Sequence, residues 1–205
     1  MRIGVMGGTF DPIHLGHLVA AQEVLWRLSL ERVIFVPAGD PPHKGGREIS
    51  PAADRVRMVQ LAIGSNPAFE LSLVDVERGG KSYTVDTIEI LRGRLGAEAQ
   101  LYFIVGMDSL SELSTWRDPL KLLSLCRLVA VSRPPHRDVD PSTLEAELPG
   151  ISSRVDLVRT PGIEIASSDL QRRVAVGQPI KYQVPEAVED YIYSHGLYSR
   201  ERPSP

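Results

Sequence analysis

Several features are scarce or absent in this 205-residue sequence, and each absence disfavours a class of protein. The single cysteine, Cys126, excludes an internal disulfide, and its apolar neighbours predict an inert thiol in the core. No apolar run reaches about eighteen residues, so we expect no membrane-spanning helix. The chain starts directly with a predicted strand rather than a signal peptide, and we therefore expect a cytoplasmic protein. The net charge of −3 argues against a nucleic-acid-binding surface, which is usually basic.

Two common nucleotide-binding signatures are also missing. The dinucleotide fingerprint G-x-G-x-x-G is absent, because the first glycines fall at Gly4, Gly7 and Gly8. A Walker loop is excluded as well, since no G-K-[ST] follows these glycines. Pro37 stands at the end of the second predicted strand, where a Rossmann-type oxidoreductase carries an acidic residue. These absences disfavour that class of oxidoreductase.

The pattern that is present indicates an α/β protein. Hydrophobic residues make up 42% and charged residues 24%, as in ordinary globular proteins. Predicted strands at 2–6, 32–37, 69–76, 101–105, 128–132, 155–159 and 163–166 alternate with predicted helices from 15, at 51–63, at 85–95, from 119, at 168–176 and at 185–194. This alternation predicts a Rossmann-like, doubly wound, mostly parallel sheet with helices on both faces and ligands beyond the carboxyl ends of its strands. We expect one domain over residues 1–199 and a disordered tail at 200–205.

The stretch GGTFDPIHLGH carries the most informative pattern. Gly7 and Gly8 are expected to end the first strand in a turn that lets the backbone approach a ligand. His14 then precedes a helix that begins at Leu15, and His17 lies in its first turn. Unpaired N–H groups and the helix dipole favour anions at that place. The stretch therefore predicts a phosphate loop that uses imidazoles instead of a lysine.

Other interpretations of the two histidines stay open on the residues alone. A histidine near a helix start is commonly a cap or a core residue with its hydrogen bonds satisfied. The H-x-x-H spacing also occurs at zinc sites, although no third ligand and no H-E-x-x-H is evident.

Two further segments place polar side chains on the edge where the strands end. The segment AGDPPHKGG follows the second strand and presents His43 and Lys44 as adjacent cationic donors, although on this segment alone a solvated surface loop is the slightly better explanation. The segment GKSYTVDT places Tyr83 and Thr84 at a helix start. Both segments are candidates for binding a substrate.

The fourth and last strand-to-helix junctions complete the candidate site. Gly106 and Asp108 follow the strand LYFIV, and a carboxylate there commonly accepts hydrogen bonds from ribose hydroxyls, although Asp108 could also cap a short helix with Ser109. In IEIASSDLQRR, Ser167 and Ser168 open a helix and form a second predicted anion site.

The two tryptophans predict different roles. Trp26 falls on the apolar stripe of the first helix, which predicts a core residue. Trp116 lies in a loop or at a helix end, where its indole could stack on a flat cationic ring such as a pyridinium. Ser50 is the predicted N-cap of the helix that starts with Pro51.

These motifs resemble those of a known superfamily. The segment G-G-T-F-D-P-I-H-L-G-H is similar to the signature of the nucleotidyltransferases, whose H-x-G-H motif spans His14 to His17 here. Within that superfamily, P-P-H-K, S-Y-T-x-D-T, G-x-D-S, T-W and the ending VPEAVEDYIYSHGLY resemble, in order, the bacterial nicotinate-nucleotide adenylyltransferase family. The superfamily's closing motif, I-S-S-T-x-I-R, places its arginine at Gln171 here, with Arg172 and Arg173 next. A one-residue offset turns a helical side chain by about 100°, so neither arginine is an automatic substitute.

The resemblance implies transfer of AMP from ATP to nicotinate mononucleotide, giving deamido-NAD and pyrophosphate in NAD biosynthesis. It implies catalysis by His14 and His17, with ATP bound by Gly7, Gly8, Thr9, Phe10, Gly106, Asp108, Ser167 and Ser168 and the mononucleotide by His43, Lys44, Tyr83, Thr84 and Trp116. It further implies Mg²⁺ held mainly by substrate phosphates and no metal site in the protein. From the net charge and the lack of a long apolar run we expect no nucleic-acid or membrane partner, and a homo-oligomer stays open. A nucleotide-sensing module without catalysis is the alternative, which the two histidines disfavour.

Overall fold

The computed structural model of the protein describes residues 1–41, 49–132 and 139–199. Its strands are β1 (Arg2–Gly8), β2 (Arg32–Pro37), β3 (Phe69–Leu71), β4 (Gln100–Gly106), β5 (Arg127–Ser132) and β6 (Val155–Arg159). These described strands form a six-stranded sheet in the order β3-β2-β1-β4-β5-β6, and all neighbouring strands run parallel. The predicted Rossmann-like fold with a parallel sheet is therefore confirmed.

The helices alternate with the strands along the chain. They are α1 (Leu15–Arg27), α2 (Ala52–Ile63), α3 (Val74–Arg78), α4 (Thr84–Leu95), α5 (Met107–Ser111), α6 (Pro119–Leu125), α7 (Ser167–Ala175) and α8 (Glu186–Ser194). Short 3₁₀ turns lie at Leu113–Thr115, Pro141–Leu144 and Ile151–Ser153. Most predicted boundaries agree with these within one or two residues, as helix ends usually do.

The sheet is buried on both faces because successive side chains of each strand enter different apolar clusters. Met6 and Phe35 belong to one cluster, whereas Val5 and Ile34 belong to the other. Helices α1, α2, α7 and α8 cover the first cluster, and α3, α4, α5 and α6 cover the second. Burial on both faces explains why the central strands are almost uniformly apolar in sequence.

The chain reverses its direction of winding between β1 and β4, and the two strands separate there. Their pairing ends at Val5 opposite Phe103, although β1 continues to Gly8 and β4 to Gly106. Each strand keeps its other neighbour to the end, since Gly8 pairs with Pro37 and Gly106 with Val131. The separation opens a crevice at the carboxyl edge of the sheet, where ligands bind in folds of this type.

The prediction that Gly7 and Gly8 end the first strand is wrong, because both residues pair with β2. The turn comes afterwards, at Phe10, which takes a φ of 50°. The glycines are needed for close approach instead. A Cβ at Gly7 would lie 3.2 Å from the ring of Phe103, and one at Gly8 would lie 3.1 Å from the ring of Phe10.

Two predicted strands are also corrected. The third strand ends at Leu71 instead of continuing to residue 76, and residues 74–78 form α3, because a short apolar alternation fits a helical turn as well as a strand. Residues 163–166 lie outside the sheet. Pro161 and Gly162 follow Thr160, whose backbone N–H still bonds to Ser132, and a proline cannot continue the ladder.

Two local assignments are wrong as well. Trp26, predicted as a core residue, is 80% exposed. Helix α1 buries Ala20, Ala21 and Val24 instead, and Trp26 lies about 200° around the helix from Val24. The N-cap of α2 is Pro51 and not Ser50, whose N–H bonds to the carboxylate of Asp11.

Two expectations concern membranes and the cysteine. No helix within the described ranges is long and apolar enough to cross a membrane. Cys126 is buried, and burial raises the pKa of its thiol to about 12, as expected for an inert core thiol.

Candidate functional site

The crevice between β1 and β4 continues into a cleft of about 550 Å³. The histidine side of the cleft comprises Thr9, His14, Gly16, His17 and Ala166, next to the cluster that α1 and α7 cover. The tryptophan side comprises Asp75, Ser82, Thr84, Thr87 and Trp116, next to the cluster that α4 and α6 cover. The cleft thus brings candidate residues from both halves of the sheet together.

The two histidines form a stacked pair at the start of α1. His14 is the N-cap residue and is buried, and its ring lies 3.8 Å from that of His17 with an interplanar angle of 30°. The backbone N–H of His14 donates to Nδ1 of His17 at 3.3 Å. An Nδ1 that accepts a hydrogen bond places the proton of a neutral imidazole on Nε2. His17 therefore keeps Nε2 as a donor, and its side chain lines the cleft.

The glycine between the histidines has a steric reason. A Cβ at Gly16 would lie 3.0 Å from Nδ1 of His14, which is closer than side chains normally pack. The edge of the Phe10 ring contacts His17, with ring centroids 5.2 Å apart. Gly16 and Phe10 together fix the geometry of the pair, which accounts for the residue between the histidines in the H-x-G-H pattern.

A buried arginine ties the loops at this edge of the sheet together. Arg55 on α2 is 1% exposed and donates hydrogen bonds to the carbonyl oxygens of Thr9, Ala38, Gly39 and Ser50 at 2.7–3.1 Å. Burial lowers the pKa of its guanidinium from the usual value. Sequence reasoning missed Arg55, because an arginine within an amphipathic helix normally predicts a solvated face.

The N-terminal part of α7 supports the same loop. Ser167 Oγ donates to the carbonyl oxygen of Pro12 at 2.9 Å, and Gln171 Nε2 donates to that of Asp11 at 2.6 Å. The hydroxyl proton of Ser167 is thus engaged by the loop. Ser168 lies in the first turn of α7, and Ala166 just before it lines the cleft.

The arginines that follow Gln171 are held elsewhere. Arg172 Nε donates to the carboxylate of Asp169 at 3.2 Å, and Arg173 donates twice to the carbonyl oxygen of Pro179. Neither arginine is among the residues that line the cleft. Gln171 itself supports Asp11, so this helix supplies no guanidinium to the cleft in this structure.

A buried carboxylate marks the tryptophan side. Asp75 on α3 is 5% exposed, and its Oδ1 accepts the hydroxyl of Thr87 at 2.6 Å. Burial raises the pKa of the Asp75 carboxyl, while hydrogen bonds from Thr87, Arg78 and Ser82 oppose the shift. Sequence reasoning missed Asp75, because its segment was predicted as a strand.

Two loops meet beside this carboxylate. Gly39 donates its N–H to Ser82 Oγ at 2.9 Å, and Ser82 donates its N–H to the carbonyl of Asp40 at 2.9 Å. A Cβ at Gly39 would lie 2.6 Å from the carbonyl oxygen of Asp75, so only glycine fits there. The loop after β2 therefore packs directly on α3.

The predicted binding residues around α4 occupy different positions. Thr84 begins α4 and lines the cleft. Tyr83 precedes the helix, and the guanidinium of Arg117 lies over the tyrosine ring, 4.6 Å from its centroid. Trp116 is half-buried, lines the cleft, and meets the ring of Phe103 edge-on at 6.2 Å. Trp116 and Thr84 are thus brought together, and Tyr83 lies outside the cleft wall.

The remaining predicted residues fall in three places. Gly106 is the N-cap of α5, so the alternative that Asp108 caps this helix is wrong. Asp108 lies in the first turn of α5, where it is exposed on the cleft wall. His43 and Lys44 lie outside the described residues. Among residues 1–41, 49–132 and 139–199, no three His, Cys, Asp or Glu side chains are grouped so that they could hold a metal ion.

A parallel sheet that opens between β1 and β4, with a helix N-terminus beside the opening, is typical of nucleotide-binding α/β proteins. Residues 5–173 match the cytidylyltransferase-like family. Two relatives named "probable nicotinate-nucleotide adenylyltransferase" are 51% identical (Thermomicrobium roseum) and 46% identical (Moorella thermoacetica), each over 96% of this chain and 91% of its own length. The chain belongs to the nicotinate-nucleotide adenylyltransferase family.

Solved structures show the same fold. The Plasmodium falciparum nicotinic acid mononucleotide adenylyltransferase complexed with APC superimposes with a TM-score of 0.75 at 18% identity, covering 96% of each chain. The same protein complexed with NaAD gives a TM-score of 0.74 at 19% identity, covering 96% of this chain and 97% of that one. The family resemblance predicted from the motifs is confirmed.

Proposed function

We propose that the chain transfers the adenylyl group of ATP to nicotinate mononucleotide, forming deamido-NAD and pyrophosphate as a step of NAD biosynthesis. The observation that carries this proposal is the cleft, with stacked histidines at a helix N-terminus on one side and a tryptophan on the other. Relatives that share about half of their residues with this chain bear the name of that enzyme. We also retain a single domain over residues 1–199 and a cytoplasmic location as proposals.

The reaction requires no nucleophile from the protein. A 5′-phosphate oxygen of the mononucleotide attacks the α-phosphorus of ATP, a new P–O bond forms, and the bond to the bridging α–β oxygen breaks to release pyrophosphate. Catalysis then depends on aligning the two phosphates and stabilising the charge that builds on their oxygens. We assign this stabilisation to Nε2–H of His17 and to His14, at the positive end of the α1 dipole.

The two sides of the cleft take different substrates in this proposal. ATP lies on the histidine side, with its phosphates against the backbone of residues 7–9 and its ribose beside Gly106 and Asp108. The first-turn amides of α7 at Ser167 and Ser168 receive the outer phosphates, since the hydroxyl of Ser167 already bonds to Pro12. Nicotinate mononucleotide lies on the tryptophan side, with its pyridine ring against Trp116; His43 and Lys44 remain proposed contacts.

The N-terminus of α4 is the proposed receptor for the ring carboxylate. This helix runs for 12 residues from Thr84, and the N–H of Asp86 in its first turn bonds to the carbonyl of Tyr83. The proposed donors are therefore the N–H groups of Thr84 and Val85, at the positive end of the helix dipole. These donors suit a carboxylate, whereas the amide of a nicotinamide ring would turn its own NH₂ toward some of them. The acid form of the mononucleotide is therefore the preferred substrate.

Mg²⁺ enters this account together with the triphosphate. The described side chains offer no cluster of acidic or histidine ligands, and Mg²⁺ commonly keeps several waters and binds phosphate oxygens. Bound in that way, the ion would neutralise part of the negative charge on the phosphates. We propose no contact with nucleic acid or membrane, and a homo-oligomer is compatible with the site.

The direct test is pyrophosphate release by the purified chain. We expect release on mixing ATP, Mg²⁺ and nicotinate mononucleotide, with deamido-NAD formed in equal amount, and none when the mononucleotide is omitted. Release without a mononucleotide would indicate a hydrolase, and binding of both compounds without release would indicate a sensing module. Either result would contradict the proposal.

A further inference from the structure

Asp11 is a buried carboxylate in the loop of residues 9–14 that joins β1 to α1. It is 3% exposed, and each of its carboxylate oxygens accepts a hydrogen bond from a distant part of the chain. Oδ2 accepts the backbone N–H of Ser50 at 3.1 Å, and Oδ1 accepts the hydroxyl of Tyr198 at 2.6 Å. A buried carboxylate depends on such donors, because neither oxygen can turn to water.

The chain makes a specific turn after α8 to bring Tyr198 to this place. The N–H of Leu197 bonds to the carbonyl of Ile192 and that of Gly196 to the carbonyl of Tyr193, with Gly196 at a φ of 62°, which is the Schellman pattern of a helix end. Tyr198 then takes a φ of 63°, a conformation that is costly for a bulky residue. The backbone thus accepts strain at the residue whose hydroxyl reaches Asp11.

The tyrosine can act only as a donor in this pair. Burial raises the pKa of the Tyr198 hydroxyl, and the negative charge of Asp11 raises it further. The hydroxyl therefore keeps its proton over the whole range of pH in which the protein would be assayed. Its oxygen also lies 4.0 Å from Sδ of Met58, so the ring is anchored against α2.

We propose that Tyr198 is a positioning residue for adenylyl transfer: its hydroxyl holds Asp11 and thereby fixes the loop that leads to His14 and His17. This inference rests on the proposed function. Arg55 bonds to the backbone carbonyl of Thr9 and Gln171 bonds to that of Asp11. Tyr198 bonds to the side chain of Asp11. Phosphoryl transfer is sensitive to displacements of about 1 Å, so a loosened loop is expected to lower turnover.

A second tyrosine in the same helix region provides a matched control. Tyr191 on α8 donates its hydroxyl to Asp54 on α2 at 2.8 Å, so it makes the same kind of tyrosine–carboxylate bond, but to α2 instead of to the loop. Neither Tyr191 nor Asp54 belongs to the loop of residues 9–14 or to the cleft wall. Tyr191→Phe therefore removes a comparable hydrogen bond without touching the loop.

The experiment compares Tyr198→Phe with Tyr191→Phe, well below the melting temperature of each. We expect kcat to fall at least about tenfold in Tyr198→Phe, with KM for the mononucleotide changed less than about twofold, and kcat within about twofold of the original chain in Tyr191→Phe. Asp11→Asn, which weakens the same bond from the loop side, is expected to lower kcat in the same way. Retained kcat in Tyr198→Phe, whatever the result for Asp11→Asn, or equal losses in the two tyrosine variants, would overturn the proposal.

Amide hydrogen exchange separates this proposal from the proposed function. Exchange of residues 9–14 is expected to accelerate in Tyr198→Phe and to stay unchanged in Tyr191→Phe, whether or not the original chain transfers adenylyl groups. If the original chain shows no transfer, the proposed function fails, and accelerated exchange would still support the role of Tyr198 in holding the loop. Unchanged exchange in Tyr198→Phe would overturn it.

Discussion

The two sides of the cleft are built in different ways. The histidine side comes mostly from one continuous stretch, residues 7–17, in which a strand end, a turn and a helix start provide most of the donors. The tryptophan side is assembled from α3, the start of α4 and the residue after a 3₁₀ turn, which lie far apart in the chain. In the proposed function, the site for the phosphates is thus a local property of the backbone, whereas the site for the pyridine ring requires the tertiary fold.

The charges of the two sides differ as well. Among the described residues, the carboxylates on the cleft wall are Asp75, on the tryptophan side, and Asp108, at the end of β4. Asp11 belongs to the histidine loop, but its oxygens are turned to Ser50 and Tyr198. A polyanionic triphosphate therefore suits the histidine side, and a pyridinium ring suits the side that carries Trp116 and Asp75.

The largest expected effect comes from removing the histidine donor. His17→Ala should lower kcat by about 10²–10³-fold, as is typical for the loss of one donor to a developing oxyanion. Thermal melting should show a folded protein, and His195→Ala, which removes an exposed histidine stacked on Tyr191, should leave kcat unchanged. A His17→Ala variant that keeps more than half of its activity would exclude His17 from the mechanism.

The second effect tests the site proposed for the ring carboxylate, at the N-terminus of α4. We expect nicotinate mononucleotide to exceed nicotinamide mononucleotide at least about tenfold in kcat/KM, or roughly 1.4 kcal/mol, because the N-terminal amides of α4 favour an anion. Both compounds are measured at saturating ATP. Equal values, or a preference for the amide, would contradict the carboxylate site at Thr84 and leave the adenylyl transfer itself intact.

A smaller effect separates the substrates at Trp116. Trp116→Ala should raise KM for the mononucleotide about fivefold through loss of stacking worth about 1 kcal/mol, and should change KM for ATP much less. Trp26→Ala is the matched control, since that indole is 80% exposed on α1 and away from the cleft. Equal changes in both KM values would make Trp116 a structural residue.

The smallest effect concerns stability and pH. Because the pKa of Asp75 is raised, the folded chain binds the proton of this carboxyl more tightly than the unfolded chain does. The contribution of Asp75 to the free energy of unfolding therefore falls as the pH rises from about 4 through the folded pKa. The stability of the original chain relative to Asp75→Asn should decline over that window and then level off, as measured by urea unfolding. The stability of the original chain relative to Asp140→Asn should instead rise with pH, in the window below about 4, because hydrogen bonds from Ser142 lower the pKa of Asp140. A flat or rising difference for Asp75→Asn would contradict its burial as a carboxylate.

The contrast between local and tertiary features also explains which parts of the fold and of the site the sequence could predict. The strand alternation, the start of α1 at Leu15 and the helix start at Thr84 follow from local patterns and are confirmed. Arg55 and Asp75 escaped prediction because their roles depend on carbonyls and hydroxyls brought from other elements. Trp26 was misplaced because the packing of α1 selects small residues, which hydrophobicity alone does not reveal.

The most direct test of the division between the two sides is a crystal structure of the chain with deamido-NAD bound. We expect the pyridine ring to stack on the indole of Trp116, its carboxylate to lie at the first-turn amides of α4, and the adenylyl phosphate to lie within hydrogen-bond distance of His17 Nε2. A pyridine ring on the histidine side, or an adenosine stacked on Trp116, would contradict this division.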